Sequence, residues 1–321
     1  MTTTAVVTRR FSFVGVTTER SAIMRVFPLW AERLGLGEVA MSGHDLPIHA
    51  GAGQYRALVE RLKADPHEAG GLVTTHKLDL FAACRDLFDW VDPYAELLAE
   101  TSCLSKRDGL FRAHAKDPIS SGRSLDEFVP HGYWRGSGAE ALLFGAGGSN
   151  LAITIHLLQG RPVDDRPARI VVVNRSPGRL ESMRAVHERM GADVEIAYIE
   201  NADPRENDRL LAAAPDGSLV VNGTGMGKDS PGSPITAAGV FPRRALAWEL
   251  NYRGELDFLR QARAQELRRD LVVEDGWRYF IHGWTSVIEE VFDIAIGGAL
   301  LDELSELALR VREGPKGGIG R

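Results

Sequence analysis

Residues 141–150 read ALLFGAGGSN, and residues 169–176 read RIVVVNRS. Each holds an unbroken apolar run, 141–144 and 170–173, that stops in small or polar residues, which is how a strand buried on both faces of a parallel sheet reads. Residues 151–158 between them have helical spacing. The first run feeds directly into Gly145-Ala146-Gly147-Gly148-Ser149-Asn150. A strand that enters such a turn and opens a helix aims backbone N–H groups, and the positive end of the helix dipole, at an anion in front of it. Asn150 stands where the usual G-x-G-x-x-G pattern has its third glycine. The second run ends at Asn174-Arg175-Ser176, with Arg179 close behind. A dinucleotide fold keeps its ribose discriminator at this point, and a guanidinium there can clamp a 2′-phosphate through paired charge-assisted hydrogen bonds. The two motifs at this separation predict NADP(H) as cofactor. Either motif alone would also fit a tight strand–helix turn or solvated surface arginines.

Working outward, the alternation continues. Residues 194–198 and 218–222 read as strands, the second followed by Asn222-Gly223-Thr224-Gly225-Met226-Gly227, whose glycines would let backbone approach a cofactor closely. A strand over 246–250 and a helix over 256–269 complete a doubly wound parallel sheet of Rossmann type. Upstream, the chain alternates again: strand 11–15, helix 21–36, strand 39–41, helix 50–63, strand 71–75, helix 78–88. Residues 101–105 and 110–115 flank Lys106-Arg107-Asp108-Gly109, a hairpin signal, so this sheet is expected to be mixed. The fold class is therefore α/β with two domains. The crossover is placed in the Ser/Gly-containing stretch 118–138. The boundaries are 1–118, 119–274 and a mostly helical segment 275–321, whose glycine-rich end, 314–321, is expected to fray.

The 321 residues carry 38 basic and 44 acidic side chains, a net charge of −6, which argues against a broad nucleic-acid surface. Hydrophobic residues make up 44%, enough to bury a core without disulfides, and the two cysteines, Cys84 and Cys103, form no CxxC. No metal site is expected. The Thr-rich start, ending at Arg9-Arg10, lacks an apolar signal region, and no uncharged run approaches a membrane span. A cytoplasmic protein with no nucleic-acid or membrane partner is expected, and a homodimer is left open.

The joint order of several short motifs resembles the shikimate dehydrogenase family nearly end to end. Phe13-Val14-Gly15 followed by Ser21 looks like its first strand and serine-bearing substrate loop. Val73-Thr74-Thr75-His76-Lys77 resembles Val-Thr-x-Pro-His-Lys, one residue shorter and without the proline. Asp108-Gly109 followed by Asp117 has the spacing of the hairpin leading to Asn-Thr-Asp. The loops at 145–149, 174–176 and 222–224 match three cofactor loops, and Glu249, Tyr252 and Phe258 follow the strand that carries a substrate tyrosine. Residues 283–292 sit where a C-terminal helix returns to the first domain.

The resemblance implies a substrate domain, an NADP(H) domain and a cleft between them. It implies hydride transfer to or from a ring carbon bearing a ketone or hydroxyl, with Lys77 moving the proton and Asp117 as its partner. Lysine suits this role, because partial desolvation can bring an ammonium toward neutrality. Ser21, Thr74, Thr75, Ser102, Lys116 and Tyr252 fall at substrate-shell positions. So does Ile23, where the family pattern Ser-x-Ser has its second serine; Ser102 and Lys116 replace an asparagine and a threonine. These departures predict a substrate related to shikimate, such as quinate or an aminated relative, as readily as shikimate itself. The competing readings are a nucleotide-sensing protein without catalysis and a folate-type dehydrogenase. The Lys77–Asp117 pair favours an enzyme over a sensor, and the Ser21 loop with the hairpin favours the shikimate-like plan.

Overall fold

The computed structural model describes residues 8–228 and 230–313. The stretch 314–321 and most of the Thr-rich start lie outside the described residues. Two compact units are present: residues 8–116 with 283–313, and residues 117–282.

The first unit contains β1 (Arg9–Gly15), α1 (Ile23–Arg33), β2 (Val39–Asp45), α2 (Ala52–Ala64), β3 (Glu68–Val73), α3 (Lys77–Cys84), β4 (Trp90–Val91), α4 (Pro93–Leu98), β5 (Cys103–Arg107) and β6 (Leu110–His114). Its sheet order is β2-β1-β3-β5-β6-β4. Strand β5 is antiparallel to both β3 and β6, and the other described pairings are parallel, so the sheet is mixed. The second unit contains α5 (Asp117–Asp126), β7 (Ala141–Phe144), α6 (Gly148–Ile155), β8 (Arg169–Asn174), α7 (Pro177–Met190), β9 (Glu195–Glu200), α8 (Pro204–Ala213), β10 (Leu219–Asn222), β11 (Leu246–Glu249), α9 (Asp257–Arg263), α10 (Glu266–Arg269) and β12 (Val272–Glu274). Its six strands are all parallel, in the order β12-β11-β10-β7-β8-β9. Helix α11 (Trp277–Phe292) starts in the second unit and ends in the first, to which α12 (Gly298–Glu313) also belongs.

Burial explains the unbroken apolar runs. Leu143, Val172, Val221 and Trp248 pack on one face of the parallel sheet with Ile153 and Leu157, while Leu142, Phe144, Val171 and Val220 pack on the other with Phe241 and Phe258. With both faces covered, nothing selects alternating polar residues. In the first unit, Phe11 stacks on Phe27 from α1 at 4.9 Å, Phe13 meets Trp284 from α11 edge-on at 5.0 Å, and Trp30 Nε1 donates to the Leu304 carbonyl. The C-terminal helices thus complete the first unit's core.

Four local expectations are corrected. The stretch 118–138, where the crossover is placed, begins with helix α5, which was not anticipated. The helix expected over 256–269 is broken into α9 and α10, because Gln265 and Ala264 close the first piece. Strand β4 with α4, and helix α8, were not anticipated. No described helix is long and apolar enough to cross a membrane.

Candidate active site

In the first unit, the carboxyl ends of β1, β2 and β3 lie side by side: Gly15 pairs with Asp45 and Val14 with Val73. Open α/β sheets bind ligands at this end. The backbone N–H and Oγ1 of Thr74 both donate to the Val14 carbonyl, at 3.0 and 3.2 Å. His76 is fully buried; its Nε2 lies 3.1 Å from the Gly15 carbonyl and its Nδ1 2.9 Å from the Tyr55 hydroxyl. A carbonyl only accepts, so Nε2 carries the proton and Tyr55 donates to Nδ1. That clamp fixes the turn from which Lys77 projects as first residue of α3. Lys77 also accepts at its carbonyl from the Thr101 N–H, 3.2 Å away, which brings it beside Ser102. Thr75 is exposed.

The Ser21 loop is held differently. Thr18 donates from both its N–H and Oγ1 to Asp45 Oδ1, at 2.8 and 2.6 Å, and these bonds pull the Asp45 carboxyl below its ordinary range. Ser21 follows on a half-buried, extended residue. Ile23 heads α1 with no exposed surface. The serine-to-isoleucine departure is thus a core residue, with its side chain among the packing of α1.

Ser102 and Lys116 are committed to the fold. The Ser102 hydroxyl accepts from the Lys116 N–H at 2.7 Å. The Lys116 ammonium is paired with Glu290 Oε2 from α11. Arg107 donates to the Glu290 carbonyl and side chain and to Asp293. His114 shares this cluster, 2.8 Å from Ser105 Oγ and 3.6 Å from Glu290. Burial pushes His114 down to about 4, and the neighbouring Lys116 adds to that, outweighing the pull of Glu290. Burial alone would raise Glu290, but Lys116, His114 and Arg107 together hold it below the usual carboxylate range. Asp117 opens α5 in the second unit, where its carbonyl accepts from Ser121 Oγ at 2.7 Å.

In the second unit, the strand order reverses direction between β7 and β10, and the two glycine turns meet there. Gly145 has φ +102°, and a Cβ on it would stand 2.7 Å from the Gly223 carbonyl. A Cβ on Gly147 would meet only Arg179 Nη1, at 4.0 Å, and one on Gly148 would meet nothing. The approach to the start of α6 is open, with Ala146 buried behind it and Ser149 half-exposed. Arg175 and Arg179 are exposed at the start of α7, and neither makes an ion pair among the described residues. Asn174 Nδ2 donates to the Ser176 carbonyl, shaping that turn. An open glycine turn flanked by two unneutralised guanidiniums fits a phosphorylated dinucleotide.

Asn150 behaves otherwise than a third glycine. It is fully buried, and its Nδ2 donates inward to the Phe144 and Gly145 carbonyls at 2.9 and 2.7 Å. The space it needs is left by Gly223, where a Cβ would stand within 2.7 Å of its amide atoms. Asn150 therefore braces the turn from behind, and its side chain is not offered to a cofactor. Asn222 Oδ1 accepts from the N–H and Oγ1 of Thr224, and Thr224 Oγ1 accepts from the Met226 N–H at 3.1 Å, with Gly225 at φ +75° between them. Tyr252 is half-buried, its ring 4.7 Å from Phe280 and 6.1 Å from Trp277.

The Tyr55–His76 clamp, the Thr18–Asp45 cap and the Glu290 cluster were missed from sequence. Only His76 carried a signal, through its place in Val-Thr-Thr-His-Lys.

No protein-family model matches the chain. It is 30% identical over 197 residues to the shikimate dehydrogenase (NADP(+)) of Symbiobacterium thermophilum, covering 60% of this chain and 61% of that one. It is 28% identical over 254 residues to the shikimate dehydrogenase (NADP(+)) of Methylobacterium radiotolerans, covering 75% of this chain and 81% of that one. This chain resembles the shikimate dehydrogenases. The match spans about three fifths of the first relative's length. Among solved structures, the quinate dehydrogenase of Corynebacterium glutamicum in complex with NAD superposes with a TM-score of 0.74 at 19% identity, over 94% of this chain and 99% of that one. That likeness establishes the fold: a mixed α/β unit and a Rossmann-type unit in one chain.

Proposed function

We propose that the chain is an NADP-dependent dehydrogenase resembling shikimate dehydrogenase, interconverting a ketone and an alcohol on shikimate or a related cyclic hydroxy acid. The observation that carries this reading is the open glycine turn at the switch point with Arg175 and Arg179 beside it, in a chain similar to NADP(+)-named shikimate dehydrogenases. The cofactor, when bound, supplies or accepts the hydride. This chain's residues bind, orient and move the proton. Arg175 and Arg179 hold the 2′-phosphate, and the 145–149 turn receives the pyrophosphate. Lys77 Nζ gives a proton to the substrate oxygen in reduction and takes it in oxidation. Asp117, by resemblance, accepts a hydrogen bond from the same hydroxyl and orients it. Ser21 and Thr74 stand at the carboxyl end of the first unit's sheet, and Tyr252, by resemblance, is a further substrate residue.

Lys77→Ala tests the assignment. It should lower kcat by about 10²–10⁴ while leaving the NADPH dissociation constant within about twofold, because the lysine touches the proton and not the cofactor. A variant with near wild-type kcat removes Lys77 from the reaction.

A further inference from the structure

Glu249, at the carboxyl end of β11, is fully buried. Its Oε2 accepts from Asn222 Nδ2 at 2.6 Å, and its Oε1 accepts from the N–H and Nδ2 of Asn251 at 2.8 and 2.7 Å. Asn222 passes the contact to Thr224, and Thr224 to the Met226 N–H. Asn251 Nδ2 also donates to the Met226 carbonyl at 3.1 Å. The bonds close into a ring that begins and ends on the backbone of Met226 and passes through Glu249. The geometry points to Glu249 as the positioning residue that shapes the 223–226 turn for the cofactor, its ionised carboxylate holding Asn222 and Asn251 in fixed orientations. This rests on the dinucleotide reading above.

The polarity of the ring requires an acceptor at position 249. All three groups that reach the carboxyl are N–H donors, so a proton or an amide nitrogen there turns a donor onto a donor. Turning the Asn222 amide over does not rescue it, because its Nδ2 would then face the Thr224 N–H. A second contact ties the same turn to the loop that carries Tyr252. The Glu255 N–H donates to the Gly227 carbonyl at 2.8 Å, and a Cβ on Gly254, at φ +98°, would stand 2.1 Å from that oxygen.

Burial pushes the Glu249 carboxyl up to about 7, against the pull of its three hydrogen bonds, and the carboxylate of Asp275 beside it adds to the rise. Glu274, the last residue of β12, precedes Asp275 and is raised in its turn by burial, Asp275 and Glu127, with Arg263 and Arg278 opposing. The ring is therefore expected to weaken as the pH falls through neutrality.

The full chain serves for the test. NADPH affinity is titrated by fluorescence for the wild type and Glu249→Gln between about pH 6 and about pH 9, and amide hydrogen exchange of residues 223–228 is followed in cofactor-free protein. Above about pH 8 the variant should bind about tenfold more weakly, the size of one charge-assisted hydrogen bond, and the segment should exchange faster. The two affinities should converge toward about pH 6, where the wild-type carboxyl is protonated too. The 2′-phosphate titrates in both proteins and cancels in their ratio. A purely structural residue would shift the melting temperature without this pH-dependent ratio. Equal affinity and equal exchange at the alkaline end overturn the proposal. Should Glu249→Gln not fold, Asn251→Ala cuts the link to the Met226 carbonyl while keeping Glu249: a several-fold loss of affinity supports the proposal, and an unchanged affinity overturns it. A wild type that binds no NADPH defeats the cofactor reading instead, and the exchange rates then decide whether Glu249 shapes the turn.

Discussion

At the scale of single residues, Arg175 and Ile23 give opposite lessons. Arg175 is exposed just after β8 with no acid paired to it among the described residues, and the motif Asn174-Arg175-Ser176 marks it as a candidate for the 2′-phosphate. Arg175→Ala should weaken NADPH by about 1.5–3 kcal/mol while NADH affinity stays nearly constant, since only NADPH carries the phosphate. Equal losses for both cofactors in parallel titrations would remove Arg175 as discriminator. Ile23 occupies a position whose family counterpart is a serine, yet its side chain is fully buried at the head of α1. Sequence could register the departure but not the direction of the side chain, which packing decides. Ile23→Ser should therefore cost about 2–4 kcal/mol of stability, as a cavity and a buried hydroxyl appear together. Denaturant unfolding measures this, and an unchanged midpoint would place Ile23 on an accessible surface.

At the scale of elements, α5 and the Glu290 cluster were illegible for different reasons. DPISSGRSLD carries no helix signal because Pro118, the serines and Gly122 are poor helix formers. It folds as helix because Pro118 sits in the first turn, where its missing N–H costs nothing, and the small buried face admits His156, whose ring would collide with any Cβ on Gly122. The cluster joins residues 107, 114, 116 and 290, a pairing across the whole sequence that no local pattern encodes. It also gives Lys116 a structural partner: its ammonium is on Glu290 with only 14% of its side chain exposed, which ties α11 to the end of the β5–β6 hairpin. Lys116→Met or Glu290→Gln alone should cost about 3 kcal/mol, the lower end for one-sided loss of a buried pair, and the double variant should recover part of it. Strictly additive losses in a urea double-mutant cycle would mean that the two charges do not interact. A KM that changes with Lys116→Met while stability does not would return the lysine to the substrate shell.

At the scale of the whole molecule, the exposed Glu127 and the buried Glu249 pull stability in opposite directions with pH. Burial would raise Glu127, but His282 and Arg278 hold it down to about 2; its contribution is complete above its ordinary value of 4.5 and is lost as pH falls toward 2. Glu249 is raised to about 7, so its contribution is complete below 4.5 and is lost as pH rises through about 7. Unfolding free energy should therefore fall off on both sides of mildly acidic pH. Glu127→Gln should flatten the acid limb and Glu249→Gln the alkaline limb, and a variant that leaves its limb unchanged contradicts the corresponding assignment. The two-unit α/β plan was legible because doubly buried strands leave unbroken apolar runs and glycine turns mark their carboxyl ends. What Ile23, Ser102 and Lys116 pack against or pair with was not legible, because those contacts are set by tertiary packing and by residues far away in sequence. The measurement that bears most directly on the central claim is NADP+ reduction by the purified chain across shikimate, quinate, aminoshikimate and unrelated polyols. At least one cyclic hydroxy acid should reduce NADP+ in a reaction abolished by Lys77→Ala, with shikimate itself showing a high KM because neither Ile23 nor Lys116 can replace the second carboxylate-binding hydroxyl. A protein that binds NADPH tightly yet turns over none of these ring alcohols in either direction would contradict the account.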